Sequence, residues 1–191
     1  MNSSMNRKFQ MKRNLKKISV PFFLGMIGLL FLQSCASIPK GATPVSPFYK
    51  EQYLGNWYEI ARLDFRFERG LNNTTAEYTL NEDGTIKVDN QGYNYEKAEW
   101  RQAIGKAKFR GDEDVAALKV SFFGPFYTGY NVIALDKDYQ YALVAGRNLD
   151  YLWILSRRTT IPEEIKKQYL KIAADLGYET DELIWVEHNR N

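Results

Sequence analysis

Between residues 56 and 157 the chain reads as eight short stretches of alternating apolar and polar residues. They start about a dozen residues apart, with turn signals between them and no helical period in the run. Alternation at period two buries one face of a strand and leaves the other wet. Eight such stretches in series point to an antiparallel meander, as an up-and-down barrel or a sandwich. The first stretch, Gly55-Asn56-Trp57-Tyr58-Glu59, sets Trp57, Glu59 and Ala61 on one face and Tyr58, Ile60 and Arg62 on the other. The ordinary role of Trp57 is a core anchor, since aromatics carry the largest buried surface. A sharper role is the floor of a cavity.

The remaining stretches are Asn72–Leu80, with Ala76, Tyr78 and Leu80 sharing a face, then Thr85–Tyr95, Lys97–Phe109, Ala116–Phe123, Phe126–Leu135, Tyr139–Gly146 and Asp150–Arg157. Asp83-Gly84 reads as a hairpin turn in which both residues are left-handed. Lys97–Phe109 brings Ala98, Trp100, Gln102 and Ile104 together, and Gly105 reads as a bulge. Phe48–Leu54 reads as one helical turn ahead of the first strand. A longer helix follows the strands. Thr160-Ile161-Pro162-Glu163 has the form of a capping box, Ile165, Tyr169, Ile172 and Leu176 form one apolar stripe, and Gly177 ends it. That stripe is expected to pack outside the barrel. Leu183–Glu187 reads as a final short strand.

The formal net charge of +3 belongs to the N-terminus. Six of the 26 Lys and Arg residues lie within residues 1–34, which hold no acid, so 20 remain against 23 and the rest is near −3. This gives little support to nucleic-acid binding. Residues 1–34 have a basic start ending at Lys17, an uncharged apolar run from Ile18 to Leu32, then small residues, which is the layout of a signal peptide. Cys35, the only cysteine, follows Leu32-Gln33-Ser34. The arrangement resembles the bacterial lipoprotein signal, in which such a cysteine is lipidated and becomes the mature N-terminus; Gln33 departs from the usual small residue. Ala36 in place of aspartate implies, by the same resemblance, the outer membrane. Residues 35–49, with Pro39, Gly41, Pro44 and Pro47, read as a lipidated cysteine and flexible tether. Residues 50–191 read as the barrel domain.

Catalytic chemistry finds few residues. His188 is the only histidine and lies near the C-terminus, where an exposed polar role is expected rather than a base. Cysteine–histidine metal sites are excluded by count, and the glycines form no phosphate loop. Glu163-Glu164 and Asp181-Glu182 read as solvated pairs. Phe122-Phe123 and Phe126-Tyr127 flank Gly124-Pro125, a bend whose aromatics are expected to pack across it rather than touch a membrane.

Eight meander strands, a Gly-x-Trp start and a late helix together resemble a lipocalin. Gly55-Asn56-Trp57-Tyr58-Glu59 matches the family's first-strand motif, and Ala134-Leu135-Asp136-Lys137-Asp138-Tyr139 stands where the family has a Thr-Asp-Tyr turn, with Thr replaced. Arg157 stands where the family keeps an Arg across the Trp. Asp64–Arg69, Ser121–Tyr127 and Tyr151–Arg157 are similar to the bacterial outer-membrane branch. The resemblance implies an all-β, eight-stranded antiparallel up-and-down barrel with one C-terminal α-helix outside. It implies a structural floor of Trp57 and Arg157, and a wall facing the ligand made of Trp57, Glu59, Tyr130 and Trp153. No catalytic residue, metal or cofactor is implied. The expected partners are a fatty acid or lysophospholipid and a bacterial outer membrane held through lipidated Cys35 on its periplasmic face. Two other readings stay open: a lipocalin-fold enzyme on a lipophilic substrate, and an interaction protein using the outer face, as a homodimer for instance.

Overall fold

The computed structural model describes residues 37–190; the expected signal segment 1–34 and Cys35 lie outside the described residues. A helical turn α1 (Lys50–Tyr53) leads into β1 (Gly55–Arg62). β2 (Leu71–Leu80), β3 (Ile86–Asn94), β4 (Glu99–Phe109), β5 (Ala117–Phe123), β6 (Phe126–Leu135), β7 (Tyr141–Ala145) and β8 (Leu152–Ser156) follow as an antiparallel meander. After α2 (Glu163–Asp175) and a 3-10 turn at Thr180–Glu182 comes β9 (Ile184–Trp185).

β1 closes the barrel. Its first half pairs with β2, Trp57 opposite Ala76, and its second half with β8, Arg62 opposite Trp153. β9 adds to the upper end of β1, with Ala61 opposite Trp185. Closure leaves no free edge among the eight meander strands, which settles the choice between barrel and sandwich.

β1 departs from regular alternation. Glu59 faces Leu155 and Ala61 faces Ile154, so Ile60 is an extra residue on this strand. A bulge of this kind reverses which face the following residues take. Ala61 therefore packs outside, and Arg62 turns into the barrel, where it is 1% exposed. The expectation that Trp57, Glu59 and Ala61 share one face fails at this point.

Two apolar cores result. One fills the barrel and includes Trp57, Tyr78, Val88, Leu118, Val132 and Leu155. The other lies under α2, where Tyr169 and Ala173 cover Leu143, Leu152 and Ile154 on the outer face. Pro162, with no side-chain cap, precedes the first residue of α2. The expected capping box does not form, because the helix starts at Glu163 and the Thr160 carbonyl is taken by the Ser156 hydroxyl at 2.8 Å.

In the β2–β3 turn only Gly84 is left-handed, at φ 77°; the Asp83 carboxylate instead accepts from the Thr85 N–H at 3.1 Å. Gly105 is not a bulge: the β3–β4 ladder runs unbroken past it, Val88 opposite Gly105. A Cβ there would stand 2.8 Å from the Phe122 ring, so the position is small to admit an inward aromatic. Trp100, Gln102 and Ile104 do share a face, and it is the exposed outer one.

Residues 37–49, expected as a tether, run along the barrel wall. The Ser37 hydroxyl donates to the Arg147 carbonyl at 2.8 Å, and the Asn131 amide donates to the Ser37 carbonyl at 3.3 Å. Farther along, the Val45 N–H donates to Val132 and its carbonyl accepts from Ala116, both at 2.9 Å. Such bonds satisfy backbone groups that a free segment would leave to water. Gly129 makes the path: a Cβ there would lie 2.1 Å from the Ser37 carbonyl oxygen. Gly129→Ala should therefore lift this strap and cost about 1–3 kcal/mol, the usual range for overpacking. Limited proteolysis N-terminal to Phe48, with urea unfolding, checks it; an unchanged cleavage rate would refute the strap's dependence on Gly129.

Candidate functional site

The closed end is built on Trp57. Its indole N–H donates to the Tyr53 carbonyl at 2.8 Å, and the ring is fully buried. The Arg157 guanidinium lies 3.8 Å from the ring centroid. It donates to four carbonyls: Asn56 at 2.7 Å, Gln52 at 2.8 Å, Leu54 at 2.9 Å and Tyr139 at 3.2 Å. Two of these, Gln52 and Leu54, lie at the end of α1, whose carbonyls lack partners within so short a helix. A planar fork of donors suits this better than a lysine would.

Above the floor stands a tyrosine cluster. The Tyr130 hydroxyl bonds Tyr53 at 2.7 Å and Tyr78 at 2.8 Å. Burial pushes all three phenols up from their ordinary value, so they stay protonated and act as hydrogen-bonding groups only. The space left beside them is about 20 Å³, lined also by Val88 and Leu118. That is room for about one water.

Toward the open end the interior becomes charged. Arg62 Nη1 bonds Glu59 Oε1 at 2.6 Å, and Nη2 bonds the carbonyls of Glu68 and Leu71, both at 2.9 Å. Glu68 comes from the β1–β2 loop folded into the mouth. Its carboxylate stands 3.8 Å from Arg62 Nε and accepts from the Trp153 indole N–H at 3.1 Å. Arg62 Nε itself, and Asn90 Oδ1 farther round the wall, are buried without a protein hydrogen-bond partner. Phe65 of the same loop packs edge-on against Trp153, ring centroids 5.5 Å apart. Burial pushes the Glu68 carboxyl well above the ordinary carboxylate range, and the Glu59 charge adds to this, with Arg62 pulling the other way. Glu59 is raised too, burial outweighing the Arg62 charge.

The four residues named from sequence thus fall into two groups. Trp57 and Tyr130 belong to the lower barrel, where both touch Tyr53. Glu59 and Trp153 belong to the upper barrel, linked through Arg62 and Glu68. Glu59 is a paired acid rather than a lone carboxylate. Sequence reasoning missed Arg62, because unbroken alternation hides a bulge, and Glu68, because a loop residue shows no period. His188 is partly buried rather than exposed. Its ring Nε2 bonds the Glu59 carbonyl at 2.8 Å and its edge meets Tyr58, which pins the C-terminal segment to β1.

The closed eight-stranded barrel agrees with what similarity finds. The family model described as a lipocalin-like domain matches residues 50–188. The outer membrane lipoprotein Blc of Citrobacter freundii is 54% identical over 170 residues, 88% of this chain and 96% of that protein. The protein of the same name from Escherichia coli K12 is 50% identical over the same shares. Among solved structures, insecticyanin from the tobacco hornworm Manduca sexta superposes with a TM-score of 0.64, covering 81% of this chain and 88% of that one at 19% identity, a likeness of fold. With its first-strand motif, its barrel closure and its Trp57–Arg157 floor accounted for, the chain belongs to the lipocalin family.

Proposed function

We propose that this protein is a lipid-anchored lipocalin of the bacterial outer membrane that binds, stores or carries lipids with an acidic head, such as fatty acids or lysophospholipids, in membrane maintenance under stress. Anchoring is through lipidated Cys35 on the periplasmic face, in keeping with relatives named outer membrane lipoproteins. The observation that carries the reading is the buried Arg62 guanidinium inside an apolar barrel, held by a carboxylate that a loop brings in. A lipid carboxylate or phosphate can replace Glu68 against Arg62 Nε and the Trp153 N–H. The β1–β2 loop then withdraws, taking Phe65 off Trp153 and opening the barrel. Such a step is required, since ligand pockets occupy about 300–1,000 Å³ and the lower void is far smaller. Trp57 and Tyr130 would meet the tail, and Glu59 and Trp153 the region of the head.

Native mass spectrometry and displacement of a fluorescent fatty acid test the reading. Binding tighter than about 50 µM, which corresponds to roughly 6 kcal/mol, is expected. Glu68→Gln removes the competing charge and should tighten acidic lipids about threefold to tenfold more than it tightens an uncharged monoacylglycerol, which gains only from the easier opening. No displacement by any acidic lipid would sink the proposal. The tightly filled lower barrel favours a second reading, an interaction protein using the exposed outer face of β4 around Trp100 and Ile104. A stable homodimer that forms without lipid, in a protein that binds none, would support it.

A further inference from the structure

The two ends of the barrel differ in what they show to their surroundings. At the open end the β1–β2 loop and the β5–β6 turn bring Phe67, Phe123 and Phe126 to the surface, 61%, 65% and 79% exposed. Phe67 and Phe123 lie 5.7 Å apart, with the Arg66 guanidinium 5.1 Å from the Phe67 ring. Farther down the wall toward the β4–β5 turn, the Lys108 and Lys119 ammonium groups sit 4.8 and 5.5 Å from the Tyr127 ring. Adjacent exposed aromatics with a guanidinium against one of them form an amphipathic rim.

Charge separates the ends as well. The closed-end turns, residues 81–85, 110–116 and 136–140, hold seven acidic residues against two basic ones. The open-end loops, 63–70, 95–98, 124–125 and 146–151, hold four of each. An anionic leaflet therefore repels the closed end and accepts the open one.

The N-terminal strap supplies an independent marker. Ser37 bonds the Arg147 carbonyl, in the β7–β8 loop of the open end. Cys35 is two residues away along the chain, a reach of about 7 Å at most. Ser37, from which that reach is measured, is thus held at the end where the aromatics are exposed.

We infer that the open rim docks face-down on the phospholipid leaflet, with Phe67, Phe123 and Phe126 inserted among the headgroups and lipidated Cys35 holding the same end. The inference rests on the lipid-anchored reading above and adds the orientation and the docking residues. Lipid then passes between leaflet and barrel without crossing bulk water. The expectation that the aromatics around Gly124-Pro125 pack only across their bend gives way here, because Phe123 and Phe126 point outward.

The test uses the mature lipoprotein in vesicles of phosphatidylethanolamine and phosphatidylglycerol. Lipidation consumes the Cys35 thiol, so Phe126→Cys and Glu82→Cys each accept one environment-sensitive fluorophore. The label at 126 should shift to the blue and be quenched by spin-labelled lipid at least about threefold more than the label at 82, as expected for side chains at the headgroup–acyl boundary. Equal quenching, or more at 82, overturns the orientation. The triple variant Phe67→Ser, Phe123→Ser, Phe126→Ser alters exposed positions only and should keep its melting temperature. Its uptake of a fluorescent lysolipid from vesicles should slow about tenfold, with displacement affinity in solution unchanged. Unchanged uptake counts against docking. Failure of lipid binding in solution would instead strike the proposed function, and leave the fluorophore result to judge the rim.

Discussion

Trp57→Ala should destabilise the barrel by about 3–5 kcal/mol, the range for deleting a buried tryptophan. The ring is fully buried and is the hub of the closed end, tilted against Tyr53 with centroids 4.9 Å apart and with the Arg157 guanidinium 3.8 Å from its own centroid. Arg157→Ala should cost less, about 2–3 kcal/mol, because water can reach part of its surroundings and satisfy some of the four freed carbonyls. Arg157→Lys should recover under half of that, since an ammonium cannot match the planar fork. The two sites touch, so their effects should not add: a double-mutant cycle in urea should return a coupling of about 1–2 kcal/mol. Additive losses would show that the Arg157–Trp57 contact carries no energy of its own. Lipid affinity should stay near that of the parent for Arg157→Ala in the folded protein. A melt that stays put while affinity collapses would move Arg157 from the floor to the binding site.

That floor could be read before any coordinates, and the upper site could not. The reason lies in how each residue is positioned. Trp57 sits on a regular strand position, and Arg157 follows β8 by one residue, its N–H still bonded to the Gln140 carbonyl, so that the alternation of Trp153 and Leu155 continues to it. Tyr130 and Tyr78 follow equally from alternation on their strands, although their shared hydrogen bonds with Tyr53 depend on the placement of α1. Arg62 depends on a bulge that pairing with β8 imposes, and no residue type in Trp57–Arg62 announces it. Glu68 depends on a loop folding back over the mouth, a non-local contact. Local pattern therefore placed the strands, the resemblance to the family pointed to the closed end, and the charged pair waited on tertiary geometry.

Arg62→Leu should have the other large effect, and its sign with pH is distinctive. At pH 7.5 the substitution leaves Glu59 and Glu68 buried beside each other without their cation. Removing one partner of a buried ion pair costs about 3–5 kcal/mol. For a barrel of this size that corresponds to a melting temperature lower by roughly 8–15 °C. Both carboxyls already have folded-state values raised above the ordinary carboxylate range, Glu68 the more so. A group raised in this way stabilises the fold fully below its unfolded value, and loses that contribution as pH rises through its folded value. Without Arg62 both values rise further, since the positive charge facing them is gone. The deficit of Arg62→Leu relative to the parent should therefore be largest at neutral and alkaline pH and shrink to about half near pH 5. Adding Glu68→Gln to Arg62→Leu should recover about 1–3 kcal/mol at pH 7.5 by removing one stranded charge, and should flatten the pH dependence. Thermal melts of parent, single and double variants from pH 5 to 8 decide the matter. A deficit that stays constant across that window, or that Glu68→Gln fails to relieve, would mean that Arg62 acts by packing its stem and bonding the Leu71 carbonyl, and that the two acids do not compete for it.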